Sequence, residues 1–159
     1  MFEKERRAGG ALRYAGKAPL FQEVAASEAS FARYIDDLVA ACTAKGVKFR
    51  WRCDVAAEPR VLAPFDRIVI ATGTSYRFGL GPIATKMLTW GIARWPLLSR
   101  FFSGATFRDW FYYQARRGTA DRFRQLANPG QRVVAIGDAV AAGKSKEAIA
   151  SAFEAALLG

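Results

Sequence analysis

Three rhythms of hydrophobic and polar residues run along the chain. In "EVAASEASFARYIDDLVAACTAKG", Phe31, Ile35, Leu38, Val39 and Cys42 recur at three- and four-residue spacing. That spacing places them on one face of a helix. Ser27 or Ser30 caps its start, and Gly46 suits its end. "VKFRWR" then alternates Val47, Phe49 and Trp51 against Lys48, Arg50 and Arg52, the period of a strand with one polar face. The stretch before the helix, "ALRYAGKAPLFQ", carries Gly16 and Pro19 and reads as loop. "VAAEPRVLAP" reads as a short connection punctuated by Pro59 and Pro64.

The third rhythm is unbroken. In "FDRIVIATGT", Ile68, Val69, Ile70 and Ala71 form an apolar run without alternation, as expected of a parallel strand buried on both faces. It ends at Thr72 and Gly73. "QRVVAIGDA" has the same form, with Val133, Val134, Ala135 and Ile136 before Gly137 and Asp138. A helix follows in "KSKEAIASAFEAALL", with Ile149, Ala152, Phe153 and Ala156 expected on its inner face. Two such strands among helices predict an open α/β sheet.

Residues 77–128 follow neither strand rhythm and predict two or three short helices. Pro82 and Pro96 punctuate the first, and Thr106 with Asp109 suits a capping box for the last. Lys86, Arg94 and Arg100 interrupt every apolar run here, so no bilayer span is expected. The organisation expected is one domain built from residues 1–76 and 129–159, with 77–128 inserted as a basic, aromatic helical segment.

Composition narrows the chemistry. The chain has 159 residues, 52% hydrophobic and 24% charged, which suits a folded domain with its own core. The net charge of +10 favours anionic partners: nucleotide phosphates, nucleic acid, acidic lipid or acyl-CoA. There is no histidine, which removes the Ser-His and Cys-His nucleophile pairs and most zinc or haem sites. Cys42 and Cys53 lack CxxC spacing, so no metal site is expected, and two reduced thiols fit a cytoplasmic compartment. No positive n-region followed by an apolar run signals secretion.

The candidate ligand-binding residues lie at strand ends and turns. Glu3 follows a hydrophobic residue and precedes Gly9 and Gly10. An acid at such a strand end accepts hydrogen bonds from ribose hydroxyls, though a solitary acid near a terminus is more often a solvated charge. The glycine pair permits close backbone approach, or a plain turn. Thr72 and Gly73 leave room for a cofactor at the carboxyl edge of a sheet, where open α/β folds bind ligands; a tight strand exit explains them as well. Gly137 and Asp138 are the strongest signal. A carboxylate between a strand and a helix accepts from ribityl or ribose hydroxyls, while the helix start attracts phosphate. By itself Asp138 reads as an ordinary turn or capping residue.

In order, these pieces are an acid with Gly-Gly, a helix, a strand, "FDRIVIATG", an inserted segment and "VVAIGDA" with a helix. The series resembles the FAD-binding half of two-dinucleotide-binding flavoproteins. The likeness is to the C-terminal flavin and pyridine-nucleotide module of NADH:flavin oxidoreductases of the 2,4-dienoyl-CoA reductase and 2-enoate reductase type, and it covers residues 1–75 and 129–159. The resemblance implies a partial Rossmann-like, doubly wound parallel sheet. It implies that Glu3 holds the adenosine ribose of FAD, and that Gly9 and Gly10 line the nucleotide cleft. Thr72, Gly73 and Gly137 lie beside the cofactor, and Asp138 binds the ribityl chain. It implies electron transfer from NAD(P)H through FAD, with no side chain acting covalently. The family's first strand and GxGxxG do not occur in this chain, nor does its pyridine-nucleotide domain, its barrel or its cluster cysteines. The resemblance therefore also implies a fragment or subunit, truncated at its N-terminus. A complementary domain or subunit would supply the strand and phosphate loop. Buried backbone groups left unpaired cost about 1–3 kcal/mol each, so FAD binding by the isolated chain is expected to be weak or lost.

The basic aromatic segment holds Trp90, Trp95, Phe101, Phe102, Phe107, Trp110, Phe111, Tyr112, Tyr113 and Phe123 among Arg94, Arg100, Arg108, Arg116, Arg117, Arg122 and Arg124. The first expectation is helices that pack their aromatics on the sheet and turn arginines to solvent. A second function class follows otherwise: a non-catalytic module docking on an anionic membrane surface or a partner. Nucleic acid is the least favoured partner, because no recognition motif for it appears.

Overall fold

The computed structural model describes residues 1–17, 27–92, 95–97, 100, 104–143 and 145–157. The fold is mixed α/β. It divides into two compact units, one of residues 1–54 with 82–105, the other of 55–81 with 106–159.

In the first unit, helix α1 spans Glu28–Ala44. Ser27 is its N-cap and accepts from the Ser30 amide at 3.3 Å. Gly46 follows its end at φ +83° and donates to the Thr43 carbonyl, so both expected boundaries stand. Its packing is narrower than its periodicity suggests. Ile35 is buried, Phe31 and Val39 are half-buried, and Leu38 and Cys42 are exposed. The described partner of α1 is the 3-10 turn Gly10–Lys17, too short to cover a whole helical face. That turn takes the place of the first part of the expected loop, whose remainder lies outside the described residues.

The expected strand at 47–52 shrinks to a single parallel bridge between Phe2 and Arg50. The Arg50 amide donates to the Met1 carbonyl at 2.8 Å and the Glu3 amide to the Arg50 carbonyl at 3.0 Å. The next rung slips by one residue, to Cys53 N–H on the Glu3 carbonyl. Arg52 lies in the left-handed region at φ +55°, which takes the chain out of extended geometry and ends the ladder. The alternation did place Phe49 and Trp51 on one side, where their rings stack with centroids 4.9 Å apart. Helix α2, Gly81–Thr89, belongs to this unit apart from its first residue, and carries Pro82 in its first turn.

In the second unit, strands β1 (Arg67–Ile70) and β4 (Arg132–Ala135) pair in parallel, with Ile68 opposite Val133 and Ile70 opposite Ala135. Gln131 sets the entry to this pair by donating to the carbonyls of Leu62 and Phe65 at 2.8 and 2.6 Å, while accepting from the Asn128 amide. Ile70 is buried with Ala120 and Ala139, and Ile68, Phe123, Val133 and Ala135 pack around them. Burial on both faces does not hold throughout: Val69 is 49% exposed. Among the described residues no strand pairs with the outer edge of β1.

The 77–128 segment is helical as expected in α2, α3 (Ala105–Asp109) and α4 (Ala120–Arg124), with a π-helical turn at Trp110–Gln114. Thr106 lies inside α3 rather than capping it. The segment also contributes a strand, β3 (Arg116–Gly118), antiparallel to β2 (Thr74–Tyr76). Of its aromatics, Phe111 is buried and Phe123 packs on the core, while Trp90 and Trp95 are exposed. Arg94, Phe101 and Phe102 lie outside the described residues, as do the side chains of Arg108 and Tyr112.

Helix α5 spans Ser145–Leu157, and its inner face is a correction. Ile149 and Phe153, expected inside, are 66% and 65% exposed, and Ala156 is exposed too. Ala148, Ser151, Ala152 and Ala155 turn inward instead. Two bonds fix that rotation: the Gly137 amide donates to Ser151 Oγ at 2.8 Å, and Arg67 donates to the Ala155 carbonyl. Small residues are needed on the helix face that comes within reach of such bonds.

Gly9, at φ +108°, lies so near α1 that an added Cβ would meet Ile35 Cδ1 at 2.6 Å. Gly9→Ala is therefore expected to lower unfolding free energy by about 1–3 kcal/mol, from backbone strain before any repacking of Ile35. Gly10→Ala, which meets no neighbour within 4 Å, is expected to cost less. Urea denaturation of the two variants checks the order.

Candidate site at the carboxyl edge of the parallel strands

Because β1 and β4 run parallel, their C-terminal ends leave the ladder on the same side. Four of the seven candidate residues, Thr72, Gly73, Gly137 and Asp138, are brought to that edge. Gly73 has φ +71° and Gly137 φ +57°, so both strand exits use a conformation that favours glycine. At Gly73 an added Cβ would meet nothing within 4 Å, leaving open space beside the backbone. At Gly137 it would press on Ala148 at 3.1 Å, so this glycine also serves the packing of α5.

Glu3, Gly9 and Gly10 fall in the first unit. Glu3 is half-buried, and its Oε1 accepts from the Glu5 amide at 3.0 Å. Gly9 has a packing reason of its own in Ile35.

The polar groups of the carboxyl edge form two sets, one on Thr119 and one on Asp138. Thr119 Oγ1 donates to the Gly73 carbonyl at 2.7 Å. That uses its single proton, so in the 2.7 Å contact between the two hydroxyls Thr72 is the donor. Asp138 is half-buried; its Oδ1 accepts from the Gly143 amide at 3.0 Å, and its Oδ2 lies 3.5 Å from Arg116 Nη1. Gly118 lies against the turn after Asp138, where a Cβ would run into the carbonyl oxygens of Ala139 and Val140. These are backbone atoms, so any larger residue would force β3 away. The pattern of the sequence did not single out Thr119 or Gly118 and placed Arg116 among solvent-facing cations. All three sit in or beside a three-residue strand whose "RRG" carries no apolar alternation.

Tyr76 pairs with Arg116 across β2 and β3, and its ring packs on Phe111 with centroids 5.2 Å apart. Burial pushes its phenol above the ordinary value of 10.0, and the nearby Arg116 charge pulls the other way. On the other side of the sheet, a shallow apolar cavity of about 230 Å³ is lined by Arg67, Val69, Ile136, Ala152, Ala155 and Ala156. None of the candidate residues lines it.

No family model, curated protein or solved structure matches the chain. Among the described residues no helix is long and apolar enough to cross a membrane.

The raised Tyr76 value gives a signed pH dependence. The folded chain holds the phenolic proton more tightly than the unfolded chain, so this contribution is fully present below pH 10. It is lost as pH rises from 10 through the folded-state value. The urea midpoint of the wild-type chain is therefore expected to fall over that range, and to fall less in Tyr76→Phe, with tyrosinate absorbance reporting the ionisation directly.

Proposed function

We propose that the chain is the FAD-binding part of an FAD-dependent NAD(P)H oxidoreductase, built on a partial Rossmann-like sheet. One observation carries this reading. Two parallel strands end side by side in glycines of left-handed φ, and the second is followed at once by a half-buried carboxylate. That arrangement suits a polyol chain laid along the strand ends, with Asp138 accepting its hydroxyls and Gly73 leaving it room. Thr72 and Gly137 flank the same path. The flavin, when bound, supplies the electron-carrying chemistry; the residues named here bind and orient it.

The fit is incomplete on the phosphate side, because the chain contains no GxGxxG to present a phosphate-binding helix N-terminus. A complementary domain or subunit that adds a strand and phosphate loop completes the reading. Val69, 49% exposed, and an outer edge of β1 that no strand covers among the described residues support such a partner. By itself the chain is expected to bind FAD weakly, with Kd in the micromolar to millimolar range, or about 4 to 8 kcal/mol.

A second reading rests on a separate observation. Within residues 82–105 of the first unit, Ile83, Trp90, Trp95 and Leu97 are all exposed, in company with the exposed cations Lys86 and Arg100. Exposed tryptophans beside cations suit a peripheral contact with an anionic membrane surface.

Two measurements separate the readings. FAD titration followed by flavin fluorescence is expected to saturate for the wild-type chain, and to weaken about tenfold for Asp138→Asn, which loses a charged acceptor. Sedimentation with phosphatidylserine–phosphatidylcholine vesicles is expected to leave the protein in solution. Binding to vesicles without any flavin signal would replace the first reading with the second.

A further inference from the structure

The carboxyl edge contains a charge pair that its role as a hydroxyl acceptor does not need. A lone carboxylate accepts hydrogen bonds from a polyol well, yet it repels any phosphate attached to that polyol. Here the carboxylate is not alone. Arg116 Nη1 lies 3.5 Å from Asp138 Oδ2, with the two side chains 12% and 27% exposed. This distance is too long for a good hydrogen bond, so the guanidinium offsets the charge while leaving Oδ2 with acceptor capacity. The other oxygen, Oδ1, is already engaged by the Gly143 amide.

The position of Arg116 is built rather than incidental. Its strand is registered against β2 by the pairs Thr74–Gly118 and Tyr76–Arg116. Phe111 packs on Tyr76, and Gly118 allows β3 to approach the Ala139 and Val140 carbonyls. Arg116 therefore reaches the turn that carries Asp138 from a different part of the chain, 22 residues earlier, on a strand held from both ends.

Resting on the flavin reading above, we propose that Arg116 sets the ligand class of this edge, making it select a phosphorylated polyol over a neutral one. Asp138 supplies the acceptor for hydroxyls. Arg116 offsets the negative charge of that carboxylate, so the edge repels an approaching phosphate less. Removing Arg116 would leave a half-buried carboxylate facing an anionic ligand, and the penalty would fall on the phosphate-bearing ligand alone.

The test is the ratio of two affinities in this 159-residue chain. Riboflavin and flavin mononucleotide share the isoalloxazine and the ribityl chain and differ by one phosphate. The wild-type chain is expected to prefer the mononucleotide. Arg116→Gln is expected to lower that preference about tenfold, with riboflavin affinity little changed, and Arg116→Lys, which keeps the charge, to retain most of it. Calorimetric titration gives both affinities, and circular dichroism establishes that each variant is folded. An equal loss for both flavins in Arg116→Gln would show a positioning role alone and overturn the proposal. Tighter mononucleotide binding in that variant would overturn it too, as the mark of a blocking group. If neither flavin binds any folded form, the flavin reading fails and takes this proposal with it; if both bind and the ratio stays fixed, the proposal fails alone.

Discussion

The ladder between Arg67–Ile70 and Arg132–Ala135 is the constraint on which the second unit depends. Its parallel sense is what matters. An antiparallel pair would send Thr72 and Asp138 to opposite ends of the strands. In parallel they leave together, and Gly73 and Gly137 turn both strand exits at the same edge. The same ladder sets the core, because Ile68 and Ile70 share a face with Val133 and Ala135 over Ala120 and Ala139. Gln131 reinforces it at the opposite end, where one side-chain amide ties the approaches to both strands together.

The polar groups at that edge are assembled from three regions of the chain. β1 ends in Thr72 and Gly73, β4 is followed by Asp138, and β3 with the residue after it brings Arg116 and Thr119. The third region comes from a stretch whose composition suggested only helices and solvated cations. It is held by the closest backbone approach in the site, at Gly118, and by a half-buried tyrosine whose neutral form the surroundings favour. Exposed apolar side chains of this unit include Val69, Val140 in the turn after Asp138, and Ile149, Phe153 and Leu157 of α5.

Features controlled by neighbours in sequence were legible. The span and both ends of α1 follow from its spacing, Ser27 and Gly46, since helix caps are local hydrogen-bond solutions. The parallel strands were legible from their unbroken apolar runs. The inner face of α5 was not, because its larger side chains suggest one face while the bonds from Gly137 and Arg67 select the alanine and serine face. Alternation at 47–52 correctly placed Phe49 and Trp51 together but could not register the left-handed turn at Arg52 that ends the pairing. Of the candidate site, the strand-end residues were readable as a motif, and the cation beside them was not.

The amino-acid sequence by itself determined a mixed α/β chain, its principal helices, its two parallel strands and the glycines and carboxylate at their ends. Each of these follows from periodicity or from a residue's own conformational preference. Only the tertiary structure decided that "RRG" is a strand, that Arg116 faces Asp138 and that Thr119 binds the exit of β1. The physical reason is distance along the chain: the Arg116–Asp138 and Thr119–Gly73 contacts join residues 22 and 46 positions apart. No local pattern encodes such contacts; they exist because backbone pairing brings their strands together.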